Sequence, residues 1–201
     1  AQATVSWLAP SSNGGVAITS YLVTSSPGVH SCTYTVPAGS TATPSCIVTG
    51  LTNGRSYTFT VSATNSAGAS EQSAPSASAI PVTTPSAPMS VVGTSGDSRV
   101  NLTWSTPLQN GGTEIIDYEV WYSAFSIGPF VTFSEPVSTN RTAAVTGLTN
   151  GTTYYFKIVA VNAVGLGETS AMSAGVVPAA VPGVPTSVLA ERGDGLATIS
   201  W

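Results

Sequence analysis

Two long stretches of the chain alternate large apolar residues with small or polar ones. The large residues are Tyr57, Phe59 and Val61 in the first stretch, and Tyr154, Phe156 and Ile158 in the second. A period of two is typical of a strand with one buried face in an antiparallel sheet. Each stretch follows an Asn-Gly pair, at 53–54 and 150–151. Because glycine accepts positive φ, such a pair favours a tight turn before the strand.

The two stretches belong to an internal repeat of 97 residues. The same offset relates Trp7 to Trp104 and Trp104 to Trp201, and it also relates Pro10 to Pro107. Solenoid units are far shorter, so this is a repeat of domain size. A unit of about 100 residues with short strands and frequent turn residues predicts a β-sandwich.

Several residues of each repeat carry a family resemblance. Trp104 is similar to a core tryptophan of the second strand, Tyr118-x-Val120-x-Tyr122 to the third strand, and Leu148 with Tyr154 to a tyrosine corner; Trp7, Tyr21, Val23, Leu51 and Tyr57 repeat this order. The chain therefore resembles tandem fibronectin type III domains of the bacterial extracellular kind. The resemblance implies an all-β fold of tandem immunoglobulin-like sandwiches.

The repeat also predicts the domain organisation. Residues 1–84 form a fibronectin type III repeat that lacks its first strand, 85–181 a complete repeat, and 182–201 the first two strands of a third. The connectors Pro81–Pro88 and Pro178–Pro185 are rich in proline, which makes them stiff joints. We expect the chain to be an excerpt of a longer tandem array.

Two cysteines, Cys32 and Cys46, lie in the first repeat only. A redox or metal pair is one interpretation, but a metal site needs more ligands than the single histidine, His30, supplies. The arrangement Cys-Thr-x-Thr followed by Ser-Cys-x-Val-x-Gly-Leu is similar to one in bacterial extracellular repeats. That resemblance implies a disulfide, and a disulfide implies an oxidising compartment.

Composition removes several classes of function. The net charge is −4 with only five Lys and Arg residues, whereas nucleic-acid binding needs clustered cations. No apolar run approaches the roughly 20 residues of a membrane helix. No sequence motif indicates a cofactor, so we expect none.

Few of the titratable residues are candidates for a catalytic or metal-binding site. Glu114, Asp117 and Glu119 form the one acidic cluster, and the two of them on the predicted third strand alternate with apolar residues. A solvated strand face explains that pattern, and a calcium or catalytic site is the alternative. With one histidine and no acid near it, a catalytic triad is not indicated. We predict a protein that is not an enzyme.

One face of the second repeat differs from its counterpart in the first. Trp121, Tyr155, Lys157 and Val159 occupy outward positions where the first repeat has Thr24, Thr58, Thr60 and Ser62. An outward tryptophan beside tyrosine and valine is the kind of apolar patch that marks an interaction face. Cross-strand aromatic pairing that stabilises the sheet is the alternative.

Three functions fit these observations. The first is a non-catalytic extracellular spacer or adhesion array, secreted or at the cell surface. The second is a segment of an extracellular filament or surface layer, in which copies self-associate into fibres. The third is a module that binds a protein or glycan through the face that carries Trp121, Tyr155, Lys157 and Val159.

Overall fold

The computed structural model describes all 201 residues, which form fifteen β-strands and no helix. The first repeat contains β1 (Gln2–Ser6), β2 (Ser20–Ser26), β3 (Ser31–Thr35), β4 (Ser45–Thr49), β5 (Thr58–Asn65) and β6 (Gly68–Ala69). The second contains β7 (Met89–Gly96), β8 (Arg99–Ser105), β9 (Ile115–Ser123), β10 (Val131–Phe133), β11 (Thr142–Thr146), β12 (Tyr155–Asn162) and β13 (Gly165–Thr169). The last strands are β14 (Leu189–Arg192) and β15 (Ala197–Ser200). The predicted all-β class is confirmed.

The second repeat is a sandwich of two antiparallel sheets. One sheet has the order β11-β8-β7 and the other has the order β10-β9-β12-β13. Their inward residues form one core of Val100, Leu102, Trp104, Tyr118, Val120, Val145, Leu148, Phe156, Ile158 and Ala160. The period-two pattern therefore places the large residues between the sheets, as half-buried strands require.

The first repeat has the same arrangement with one strand fewer. Its sheets have the orders β1-β4 and β3-β2-β5-β6, so β1 pairs on one edge only. Its buried core is smaller and comprises Val23, Val48, Leu51, Tyr57 and Phe59. Ala3, Val5 and Trp7 of the β1 region are only half-buried, because no strand covers the outer side of β1.

The turn before each long strand is held by a tyrosine corner. The Thr52 backbone N–H donates to Tyr57 Oη at 3.0 Å, and the Thr149 N–H donates to Tyr154 Oη at 3.2 Å. The hydrogen bond from Thr52 lowers the pKa of Tyr57, since it stabilises the phenolate. Leu51 and Leu148 are buried beside these corners. The corner is thus present in both repeats, as the resemblance implied.

The segment after β5 differs from the sequence prediction. The repeat pattern predicts a final strand up to about Ile80, but β6 is two residues long. Serines then continue the ladder: the Ser73 N–H donates to the Val61 carbonyl at 2.9 Å, and the Val61 N–H donates to Ser73 Oγ at 3.1 Å. Ser76 does the same with Phe59. Short hydroxyl side chains can accept hydrogen bonds that backbone carbonyls of a partner strand would otherwise accept. These serines therefore replace regular strand pairing along β5.

The connector between the repeats is fixed to the second repeat. The Thr83 N–H donates to the Gly111 carbonyl at 2.9 Å, and Asn162 Nδ2 donates to the Thr83 carbonyl at 2.8 Å. Pro85 is buried, and its carbonyl accepts the Glu168 N–H at 3.1 Å. These bonds make the connector part of the second sandwich.

The two repeats also touch through their turns. The Gly112 backbone lies against Gly54 so closely that a Cβ on Gly112 would collide with Gly54 N. The Gly54 N–H in turn donates to the Pro81 carbonyl at 2.9 Å. Both glycines have positive φ, with +78° at Gly54 and +88° at Gly112. The joint therefore depends on backbone-to-backbone packing that only glycine allows.

The final hairpin stands apart from both cores. β14 and β15 pair with each other, and every residue of both strands is exposed. Trp201 is 81% exposed, whereas Trp104 is 6% exposed. The strands that surround Trp104 in the second repeat have no equivalents beside Trp201 in this structure.

Candidate functional site

The cysteines of the first repeat form a disulfide between the sheets. Cys32 lies on β3 and Cys46 on β4, which belong to different sheets, and their Cα atoms are 6.2 Å apart. Val23 pairs with Cys32, and Val5 pairs with Cys46. The bond that the resemblance implied is therefore present. It lies against the small core of this repeat.

Trp121 lies on the outer face of β9. It pairs with Lys157 of β12 on one side and with Thr132 of β10 on the other. Its Nε1–H donates to Glu119 Oε2 at 3.0 Å, two residues earlier on the same strand. Trp121 and Glu119 are both half-buried. The indole is thus oriented by a carboxylate and keeps part of its surface accessible.

Lys157 connects this face to the loop between β9 and β10. Its Nζ lies 4.4 Å from the centroid of the Phe130 ring, a cation–π distance. Tyr155 and Lys157 are half-buried. We call Trp121, Tyr155, Lys157 and Phe130 the Trp121 face from here on.

Val159 does not belong to the accessible part of this face. It is 2% exposed, although the alternation of β12 places it outward. Glu119 of β9 and Thr169 of β13 are its partners on either side. Strand alternation assigns a direction but says nothing about flanking side chains, so the expectation of an exposed Val159 was wrong.

Two apolar residues near this face escaped the sequence analysis. Phe125 and Ile127, in the loop between β9 and β10, are 65% and 95% exposed. The same loop continues through Gly128 and Pro129 to Phe130. The sequence did indicate their exposure. Both are large apolar residues just before Gly128-Pro129, and a Gly-Pro pair marks a loop outside the sheet.

The acidic residues do not converge on a metal position. The Asp117 Oδ1 atom accepts the Ser138 N–H at 2.8 Å, and Glu119 accepts the indole N–H of Trp121. No three His, Cys, Asp or Glu side chains come together in the structure. Asp117 and Glu119 are half-buried, so the expectation of a solvated strand face was only partly right, because each carboxylate has a local donor.

Glu135 is an acid that sequence analysis did not single out. Its Oε1 atom is buried without a hydrogen-bond partner. Burial raises the pKa of Glu135, the negative charge of Asp117 raises it further, and a hydrogen bond from the Val120 backbone offsets part of the rise. A buried carboxylate with an incomplete hydrogen-bond set favours its protonated form.

The first repeat carries an open groove between its sheets. The groove has a volume of about 410 Å³. Its lining includes Trp7, Leu8, Pro10, Tyr21, Val61 and Ala63. It lies beside the end of β1, where the second repeat has β7 and the connector.

The structure contains no helix that could cross a lipid bilayer.

The fold and these surfaces define a class of protein. Two consecutive β-sandwiches with matching tyrosine corners are joined by a short proline-containing connector. A family model described as "Fibronectin type III domain" matches residues 1–79 and 84–176. The chain belongs to the fibronectin type III family.

Several known relatives match nearly the whole chain. Myomesin-2 of Homo sapiens is 30% identical over 186 residues, which cover 90% of this chain and 13% of the relative. The protein named "M-protein, striated muscle", of Gallus gallus, is 31% identical over 186 residues, with the same coverages of 90% and 13%. The chain thus spans about an eighth of each relative's length.

Among solved structures, domains A168–A170 of titin share the fold. The TM-score is 0.50 at 19% sequence identity, over 88% of this chain and 58% of that one. At this identity the likeness concerns the fold alone.

Proposed function

We propose that this chain is a non-catalytic structural spacer of the extracellular kind, built from tandem fibronectin type III repeats. The observation that carries the proposal is the joint, in which the connector is bonded to the second sandwich and the glycine turns interlock. A joint of this kind sets a fixed angle between repeats, and a spacer needs that property. Residues 1–84, 85–181 and 182–201 are the proposed units.

The length of the known relatives supports a structural role for this chain. Myomesin-2 and the striated-muscle M-protein are much longer than this chain, and each contains a similar stretch. Tandem repeats in long chains are suited to setting distances between other parts. The proposed extracellular or cell-surface location rests on the disulfide, because such bonds persist in oxidising compartments.

Small-angle X-ray scattering of the 201-residue chain tests the spacer. We expect a scattering curve that one fixed arrangement of the two sandwiches fits at every salt concentration. A curve that requires a broad set of inter-repeat angles would contradict a spacer with a fixed joint.

Location is tested on the native material. Alkylation of unreduced protein, followed by mass spectrometry, should leave Cys32 and Cys46 unmodified, and surface proteolysis of intact source cells should release peptides of this chain. Alkylated cysteines, or protection of the chain until the cells are lysed, would contradict the location.

A second proposed function is ligand binding at the Trp121 face. The partial exposure of Trp121, with Phe125 and Ile127 in the adjoining loop, favours this candidate. Exposed aromatic surface is enriched at contact sites for proteins, and aromatic rings also stack on sugars. The ligand class is a protein surface or a glycan.

Isothermal titration after a glycan-array screen tests this second function. Trp121→Ala should abolish binding of the best array ligand, while Trp201→Ala serves as a control because that tryptophan is exposed elsewhere. Equal loss in both variants would count against the Trp121 face, and an array without any binding would count against a glycan as its ligand.

A further inference from the structure

The outer face of the β10-β9-β12-β13 sheet carries its charges at separate places along the strands. Residues directly opposite each other in an antiparallel sheet share one face. From one end to the other, the outward pairs of β9 and β12 are Ser123 with Tyr155, Trp121 with Lys157, Glu119 with Val159, and Asp117 with Val161. Lys157 therefore lies in one half of this face, and both carboxylates lie in the other half.

The equivalent face of the first repeat has no such charges. At the offset of 97 residues, Lys157 and Glu119 correspond to Thr60 and Leu22. The strands β2, β3 and β5 contain no Asp, Glu, Lys or Arg at all. An interaction that uses the separated charges is therefore specific to the second repeat.

Exposed apolar side chains lie at both ends of the same sheet. Phe125 and Ile127 follow the last residue of β9, and both are exposed. At the opposite end of the sheet, Ile116 and Leu166 are exposed as well, and Leu166 pairs with Val161. Since β9 has nine residues, these two apolar ends are about 30 Å apart.

The exposure of the loop after β9 is a property of its position in the repeat. The equivalent loop of the first repeat lies between β2 and β3 and carries Val29. Val29 is 92% exposed, although a second sandwich follows the first. The apolar residues of this loop are therefore accessible from the side in both repeats.

A two-fold rotation turns the outer face onto itself with its halves exchanged. The axis lies parallel to the face and crosses the strands between Trp121 and Glu119, which are successive outward residues of β9. Rotation about this axis places a second copy face to face with the first and reverses the direction of its strands. Lys157 then lies in the half that faces Glu119 of the second copy, and the symmetric contact forms as well. Opposite charges are thus brought together at two places.

The same rotation brings the apolar ends together. The loop with Phe125 and Ile127 meets the end of the second copy that carries Ile116 and Leu166. Water covers these side chains in the single chain, and their burial in the pair favours association. The face is therefore complementary to itself in both charge and apolar surface.

The polar atoms at the centre of the face favour a charged protein partner over a sugar. The Trp121 Nε1–H is the only donor of the indole, and Glu119 Oε2 already accepts it at 3.0 Å. The indole therefore has no donor left for a sugar hydroxyl. Glu119 keeps its Oε1 atom, which can accept a hydrogen bond from a lysine ammonium of a second copy.

We propose that the outer face of the β10-β9-β12-β13 sheet binds the same face of a second copy, in a two-fold dimer of antiparallel chains. This inference rests on the second proposed function, binding at the Trp121 face, and it names the partner as a further copy of this chain. The contact is isologous, because the same surface patch is used on both copies. Such a contact closes at two copies and does not extend into a filament.

Sedimentation velocity of the full chain tests the proposal. Between about 1 and 300 µM the chain should change from a monomer to a species of twice its 20.2 kDa mass, without larger species. Lys157→Glu should raise the dissociation constant at least about tenfold, because both contacts then join like charges. Glu119→Lys should weaken the dimer for the same reason.

A mixture of these two variants provides the decisive measurement. In the mixed pair, the introduced glutamate of one copy faces the introduced lysine of the other, and the native lysine and glutamate meet at the symmetric contact. The mixture should therefore associate at least about tenfold more tightly than either variant alone. Restored association also shows that both variants are folded, since an unfolded chain could not supply its half of the contact.

Arg99→Glu is the matched control. It makes the same change of charge as Lys157→Glu, at an exposed position on β8 in the other sheet. This variant should dimerise as tightly as the unmodified chain. Equal weakening by Arg99→Glu and Lys157→Glu would show that net charge, and not this face, controls association.

That result would overturn the inference. A chain that stays monomeric up to about 300 µM would also overturn it, as would a mixture that associates no more tightly than its separate variants. Glycan binding by a monomeric chain, lost in Trp121→Ala, would remove the second copy as the partner and leave the second proposed function intact. The two proposals therefore fail separately.

Discussion

Trp104 and Trp121 are large aromatic residues on consecutive strands, yet their surroundings differ. Trp104 is buried in the core between the sheets and lies edge-on to Tyr118, with ring centroids 5.5 Å apart. Trp121 is half-buried on an outer face and bonded to Glu119. The two residues therefore contribute to stability by different mechanisms.

Replacing each tryptophan separates these mechanisms. Trp104→Ala should cost about 3–5 kcal/mol of unfolding free energy because it leaves a core cavity. Trp121→Ala should cost about 1 kcal/mol or less, which is the scale of a cross-strand pair. Urea unfolding measures both values. Equal costs would show that Trp121 is a core residue and would remove the Trp121 face as a binding candidate.

Glu135 makes stability depend on pH. Its pKa is raised by burial and by Asp117, so the folded state binds its proton more tightly than the unfolded state. The resulting stability is fully present below the unfolded pKa of about 4.3 and is lost as pH rises through the folded pKa.

Glu135→Gln should therefore raise the unfolding temperature of the second repeat at neutral pH and change it little at a pH below the unfolded pKa. Glu168→Gln, at an exposed acid of the same repeat, is the control and should leave both temperatures unchanged. Calorimetry at the two pH values makes the comparison. If Glu135→Gln destabilises the repeat at neutral pH, the carboxylate has a partner whose attraction outweighs the cost of burial.

At the scale of elements, the first repeat combines a missing strand with an added covalent link. The disulfide joins β3 to β4 across the sheets, whereas the second repeat has Pro129 and Ala143 at these positions and a third strand in its smaller sheet. Fewer buried residues leave less hydrophobic stabilisation.

Reduction of the disulfide should lower the stability of the first repeat by roughly 3 kcal/mol, the chain-entropy value for a loop of this length. The loop spans 14 residues. Hydrogen exchange with and without reductant should show faster exchange in β2 and β5 and no change in β9 and β12. Equal acceleration in both repeats would mean that the bond acts on the whole chain and that the selective assignment is wrong.

At the scale of the whole molecule, the joint determines how the repeats are arranged. Gly112 and Gly54 pack backbone to backbone, while Gly15, the equivalent of Gly112, has no neighbour within 4 Å of its Cβ position. Both Gly15 and Gly112 have positive φ, +85° and +88°. Comparing substitutions at Gly15 and Gly112 therefore separates the backbone strain of a substitution from its effect on the joint.

Gly112→Ala should loosen the joint, because the added Cβ collides with the turn of the first repeat. Gly15→Ala introduces similar strain and should leave the joint intact. Residual dipolar couplings report whether the two sandwiches share one alignment. If both variants keep a single alignment, the joint is not set by the glycine contact.

Much of this structure was predictable because local patterns reflect it directly. Period-two alternation placed the long strands at β5 and β12, and the 97-residue repeat gave two sandwiches with matching tyrosine corners. The alternation comes from side chains that point alternately into and out of a sheet, and that direction is a property of the strand itself.

Other features depended on groups that are distant in sequence. Val159 is buried by neighbours on β9 and β13, and the serines after β6 bond to β5 in place of a strand. The contact of Gly112 with Gly54 brings together turns of two different repeats. The sequence by itself determined the class, the repeat and the strand faces, because these follow from residue spacing. Only the tertiary structure decided which outward side chains are covered and how the turns of the two repeats meet, because both depend on long-range packing.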